Sequence, residues 1–193
     1  ENIYVLESAD DAIEFFGGTV NVTNLLAVNP DDDMFDFTQG YSGTLKNCYG
    51  VWENGYTSTE ADPRGIEADG NLDGDYSDHL RQSDFTVENM TIVNNAANTT
   101  DNVDRMQDVI KIRRGAKATI TNALVKGSGG TIDLIDMNDS KGAGSAASSI
   151  SITHTLNFKN KLNGTLNTFT EPTTNTGADA SLFTWTGYNI SSL

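Results

Sequence analysis

Apolar and polar residues alternate along this chain in short runs that recur in a fixed order. One run reads Val20-Asn21-Val22-Thr23-Asn24-Leu25, Gly43-Thr44-Leu45-Lys46-Asn47-Cys48, Phe85-Thr86-Val87-Glu88-Asn89-Met90, Ala118-Thr119-Ile120-Thr121-Asn122-Ala123 and Ile150-Ser151-Ile152-Thr153-His154-Thr155. The column Val22, Leu45, Val87, Ile120, Ile152 is apolar, and the next, Thr23, Lys46, Glu88, Thr121, Thr153, is polar. A period of two marks a strand with one buried face. Ile3 to Leu6 match Leu25 to Val28, so Asn2 opens a further copy. A second run accompanies the first: Ala12-Ile13-Glu14-Phe15, Met34-Phe35-Asp36-Phe37, Gly65-Ile66-Glu67-Ala68, Val109-Ile110-Lys111-Ile112 and Thr131-Ile132-Asp133-Leu134. Gly17, Gly40, Gly70 and Gly115 follow its first four copies, where a turn needs positive φ or close backbone approach.

The column Asn2, Asn24, Asn47, Asn89, Asn122 and then His154 steps by 22, 23, 42, 33 and 32 residues. Two strand types in fixed order, on a coil of about 22 residues with insertions, predict an all-β solenoid. Asparagine at one bend of every coil can hydrogen-bond its counterpart one strand spacing away, about 4.8 Å, and so pin the register. His154 takes the place of a ladder or coil-end residue. Neither a leucine-rich repeat, with its intervening helix, nor an immunoglobulin-like sandwich fits the pattern. The fold expected is a right-handed parallel β-helix with an asparagine ladder, the hand following from the crossover rule. Its coils occupy residues 1–160. Residues 161–193 lose the repeat but keep Leu166, Phe169, Leu182, Phe183, Trp185 and Tyr188, and are expected to cap the C-terminal end. The chain opens inside a strand pattern without an initiator methionine, so further coils are expected upstream.

Composition narrows the function by exclusion. Twelve basic against 27 acidic side chains leave a net charge of −15, which argues against nucleic acid and anionic lipid as partners. No apolar run approaches the roughly 20 residues of a membrane span. The single cysteine, Cys48, sits among apolar neighbours as a small core residue. No nucleophile elbow, phosphate-binding loop or dinucleotide fingerprint occurs. The insertions at Gly55–Arg64, Asp69–Ser83, Ala96–Asp108 and Met137–Ser149 are rich in turn residues. Tyr41, Tyr49, Trp52, Tyr56 and Tyr76 lie on or near such segments, either as sugar contacts or as packing under loops.

Three stretches carry a resemblance: Ser8 through Asn21, Asp31-Asp32-Asp33-Met34-Phe35-Asp36 with Gln39-Gly40-Tyr41-Ser42-Gly43, and Arg64-Gly65-Ile66-Glu67-Ala68-Asp69. Over about residues 1–130 the chain resembles secreted, cell-envelope right-handed β-helix proteins of the Bacteroidetes type. That resemblance implies export to the periplasm, the cell surface or the medium. The motifs diagnose no activity; a polysaccharide or another envelope component is the partner expected of such a surface protein.

In the second run, the residue between the inward apolar pairs forms an outward column: Glu14, Asp36, Glu67, Lys111, Asp133. Like charges about 5 Å apart repel by roughly 1–3 kcal/mol per pair, which a bound cation, a raised pKa or an adjacent base would relieve. Some β-helix polysaccharide lyases use such an apparatus, with carboxylates on Ca²⁺ and a Lys or Arg as base. Glu14, Asp36, Glu67, Lys111 and Arg113 are the catalytic candidates on that analogy of fold and residue type. A second acidic stretch, Asp69, Asn71, Asp73, Asp75 and Asp78, spaces oxygen donors as a calcium loop does, although Leu80 stands where the bidentate Glu belongs. Ca²⁺ is thus the one cofactor the sequence raises. Two functions stay open: a structural or glycan-binding surface protein without enzymatic activity, or a polysaccharide lyase or glycoside hydrolase working on the carboxylate face.

Overall fold

A computed structural model describes residues 1–71, 74–76, 78, 81–96, 105–190 and 193. Among the described residues twelve strands follow one another: β1 (Ile3–Leu6), β2 (Glu14–Phe16), β3 (Val22–Val28), β4 (Phe35–Thr38), β5 (Thr44–Trp52), β6 (Ile66–Asp69), β7 (Asp84–Asn94), β8 (Met106–Arg113), β9 (Lys117–Gly127), β10 (Thr131–Asp136), β11 (Ser149–His154) and β12 (Thr168–Thr170). They sort by parity into two parallel sheets, β1-β3-β5-β7-β9-β11-β12 and β10-β8-β6-β4-β2. Each element therefore pairs with the same element one coil away, which is the parallel β-helix expected from the repeat. The apolar column of the first run stacks inside, with Val22 opposite Leu45 and Val87 opposite Ile120. Phe15, Phe37, Tyr41 and Phe85 stack as rings down the core, Phe37 and Phe85 with centroids 4.0 Å apart.

The bend column behaves as its chemistry demands. Asn2, Asn24, Asn47, Asn89 and Asn122 all hold φ between 53° and 58°, a left-handed conformation that asparagine tolerates better than branched residues. Asn24 donates to Asn2 (2.9 Å), Asn47 to Asn24 (3.1 Å) and Asn122 to Asn89 (2.9 Å). Of the glycines after the second strand type, Gly17, Gly40 and Gly115 have positive φ. Gly70 does not; a Cβ there would stand 2.2 Å from the Arg114 carbonyl oxygen.

Two register expectations are corrected. His154 does not join the asparagine column: β11 pairs Ile150 with Ile120 but Ile152 with Ala123, skipping the bend residue, so His154 lies opposite Val125. The outward column ends in Asp136, which faces Lys111, whereas Asp133 faces Asp108. The repeat unit is five residues wide there, Asp108-Val109-Ile110-Lys111-Ile112 over Asp133-Leu134-Ile135-Asp136-Met137, and matching only three residues slips it by three.

The tail does more than close one end. Asn160 and Asn163 bridge to Asp133 and Asp136, and β12 pairs with β11, making a last partial coil. The chain then reverses and runs back along the outside of the larger sheet. The Thr176 amide donates to Asn122 Oδ1 (2.8 Å), Ala178 to Thr91 Oγ1 (2.9 Å) and Asp179 to Asn47 Oδ1 (2.6 Å). A 3₁₀ turn, Ala180–Thr186, drops Phe183 onto Leu26, Val28, Tyr49, Val51 and Val93, a second apolar cluster on the outer face. Tyr188 reaches the early coils, its hydroxyl donating to Glu53 (2.8 Å). Tyr41, Tyr49 and Trp52 are buried, so these three pack; Tyr76 is exposed. Among the described residues no helix is long and apolar enough to cross a membrane.

Candidate functional site

The smaller sheet has alternate residues turned away from the core, and these meet across coils. Glu14 lies opposite Asp36, Asp36 opposite Glu67, and Glu67 opposite Lys111. Beside this column runs a second, Asp11, Asp33, Arg64, Asp108, Asp133, three residues earlier in each coil. Most of these outward-facing residues are buried, Asp33 at 2 % exposed, Asp36 8 %, Lys111 9 % and Arg64 6 %, while Asp11, Glu14 and Glu67 are half-buried. The connection from β5 to β6 lies alongside, with the Thr59 amide donating to Asp31 (2.7 Å) and Gln107 reaching the Ala61 carbonyl.

Among the described residues of this face, ion pairs are made by Arg64, Lys111, Arg113 and Arg114. Arg64 contacts Glu67, Asp62 (2.8 Å) and Asp108 (3.6 Å). Arg113 contacts Glu67 and binds Asp69 (2.9 Å), while Lys111 pairs with Asp136. Arg114 spans Asp69 (3.4 Å) and Asp139 (3.2 Å). Toward the first coils carboxylates crowd together, and among the described residues no ion pair is made by Asp11, Glu14, Asp33 or Asp36. Oxygens of Asp11, Glu14 and Asp36 lie within 4.8 Å of one another, as do those of Asp33, Asp36 and Glu67. Asp33 Oδ1 and Asp36 Oδ1 are buried without a hydrogen-bond partner.

Burial is the first cause of what this does to the acids, and the neighbouring carboxylates add to it. Asp11 and Asp32 are pushed up to about 7 and Asp36 to about 9. Asp33 and Glu14 also rise. Burial raises Glu67 too, opposed by Arg64 and Arg113. Asp108 is lifted to about 6 by burial, with Lys111 and Arg64 pulling the other way. Two buried, unpartnered carboxylate oxygens within reach of further carboxylates fit a hard divalent cation with oxygen ligands. Asp11, Glu14 and Asp36 form one set that would hold it, and Asp33, Asp36 and Glu67 the other.

The acidic loop is arranged differently. Asp69 turns its carboxylate to Arg113 and Arg114. Asn71 is buried and donates to Gln82 (3.3 Å), Asp75 is exposed and 3.9 Å from Lys141, and Asp78 is exposed. Asp73 lies outside the described residues. Arg64 and Asp136 carry no role in the sequence reading; the signal that finds them is the five-residue alignment, which sets Arg64 in the aspartate column and Asp136 under Lys111.

Over residues 1–189 the chain matches the family model described as a pectate-lyase like beta helix domain. No curated protein and no solved structure gives a match.

Proposed function

We propose, for a chain that belongs to the pectate-lyase-like β-helix family, that it binds an acidic polysaccharide through a divalent cation on the carboxylate face. The family fits a carbohydrate-related role; binding rather than cleavage is our reading. One observation carries it: Asp33 and Asp36 are almost wholly buried, lack partners for one oxygen each, and have carboxylate oxygens within 4.8 Å of those of Glu67. A cation there would leave coordination positions for the carboxylate of a uronic acid, since Ca²⁺ takes six to eight oxygens. The protein supplies the fixed oxygens and excludes water from them; the ion supplies the charge that an anionic sugar needs.

The same face disfavours the lyase or hydrolase reading. A general base must reach a substrate proton, yet Lys111 is held against Asp136 and Arg113 is shared by Glu67 and Asp69. We place the protein in the periplasm, at the cell surface or in the medium, where acidic polysaccharide is met.

Calorimetric titration of polygalacturonate and alginate into the protein, with CaCl₂ or with chelator, tests the reading. Binding that needs calcium and disappears in Asp36→Asn is expected. Unsaturated or reducing products on any polysaccharide, abolished by Lys111→Ala, would establish the enzymatic reading instead.

A further inference from the structure

We propose that Lys111 and Asp136 condense into an amide that staples two neighbouring coils. The two residues lie directly opposite each other in β8 and β10. Lys111 Nζ contacts Asp136 Oδ2, and the residues are 9 % and 8 % exposed. The other carboxylate oxygen, Oδ1, accepts a hydrogen bond from the Asn138 amide at 2.9 Å. Asp108 completes the set: its carboxylate, with those of Asp133 and Asp136, forms a group whose oxygens lie within 4.8 Å of one another. Asp133 is occupied by Asn160 at 2.7 Å, and Arg64 stands 3.6 Å from Asp108.

These are the parts acyl transfer requires: a nucleophile against its electrophile, a donor at the developing oxyanion, and a carboxyl to carry protons. Burial raises Asp108 to about 6, which suits proton exchange near neutrality. Burial also supplies the bias. Two buried opposite charges each lose hydration, a cost their attraction repays only in part. Condensation removes both charges.

The atoms balance without a co-reactant. The Lys111 ammonium passes one proton to Asp136 Oδ2, giving an amine beside a carboxylic acid. The nitrogen lone pair attacks Cγ of Asp136, forming the N–C bond and placing negative charge on Oδ1, opposite the Asn138 N–H. Asp108 takes a proton from nitrogen and returns it to Oδ2 as the C–Oδ2 bond breaks. One water leaves, and the amide keeps a single hydrogen on nitrogen. The staple holds whether or not the face binds glycan, and it would withdraw Lys111 from any catalytic role.

Intact-mass spectrometry of the full chain, folded and held at neutral pH, decides the matter. The mass expected is one water below that of the sequence. Digestion should yield a branched peptide joining the Lys111 and Asp136 segments, uncleaved by trypsin after Lys111. Lys111→Met and Asp136→Ala should each restore the full mass. Asp108→Asn, checked for native circular dichroism, should fold without closing the bond at the native rate. The full sequence mass in the native protein would overturn the proposal, as would a water loss that persists in Lys111→Met.

Discussion

The acid-only part of the carboxylate face should make the protein less stable as pH rises, opposite to the usual behaviour of paired carboxylates. Asp36 titrates near 9 in the folded protein against 3.8 for the unperturbed group. A group raised by folding lends stability fully below its unfolded pKa and loses it as pH climbs through the folded one. Between about pH 5 and pH 8 the unfolded carboxyl is ionised while the folded one keeps its proton. Each retained proton then costs about 1.4 kcal/mol per pH unit, or about 4 kcal/mol for Asp36 across that interval. Asp11 and Asp32, both near 7, push in the same direction over the lower part of the range. Set against a total stability of roughly 5–15 kcal/mol, and at about 2–4 °C per kcal/mol, this lowers Tm by about 8–16 °C. Thermal melts in chelator, followed by circular dichroism at constant ionic strength, measure it. Calcium at about one hundred times its Kd should return about 2.7 kcal/mol at the upper pH, beyond what matched NaCl gives. Asp36→Asn, neutral at every pH, should flatten the slope and blunt the calcium response. A Tm that is level or rises between about pH 5 and 8 in chelator would refute the account of this cluster.

Three further outcomes are expected. Asn24→Ala loses two ladder hydrogen bonds, to Asn2 and from Asn47, and puts a Cβ-bearing residue without a local polar partner at φ 58°, costing about 2–3 kcal/mol in urea unfolding; Asn24→Gly should cost clearly less, and equal losses would remove the left-handed bend from the explanation. Phe183→Ala empties the contact beneath the 3₁₀ turn. In a Trp185→Phe background it should open the segment after Glu171 to limited proteolysis while the emission of buried Trp52 stays native; simultaneous loss of both would mean that the strap and coils unfold as one unit. Arg113→Ala removes one of the two cations on Glu67 and one of the two on Asp69 and should destabilise by about 1–3 kcal/mol at neutral pH, less in acid where Glu67, raised by burial, takes up its proton; a pH-independent loss would point to packing.

What could be read from the sequence was whatever local chemistry repeats. Alternation in Val22, Leu45, Val87, Ile120 and Ile152 reports burial of one face, and an asparagine at every bend reports a left-handed backbone, so architecture and ladder follow without coordinates. The outward column down to Lys111 follows as well, because each copy carries the same apolar-charged-apolar triplet. Three features needed the folded chain. Register at the last coils depends on loop lengths and on which residues a coil omits, so His154 left the ladder and Asp136 replaced Asp133. The path of residues 171–190 was decided by the apolar stripe that Leu26, Val28, Tyr49 and Val51 leave on the outer sheet face, a stripe assembled from separate coils. The character of the acidic face, buried and short of cations at Asp33 and Asp36 but neutralised by Arg64, Lys111, Arg113 and Arg114 further on, arose from contacts up to 46 residues apart. A side chain's type is local; its hydration and its charged neighbours are properties of the stack.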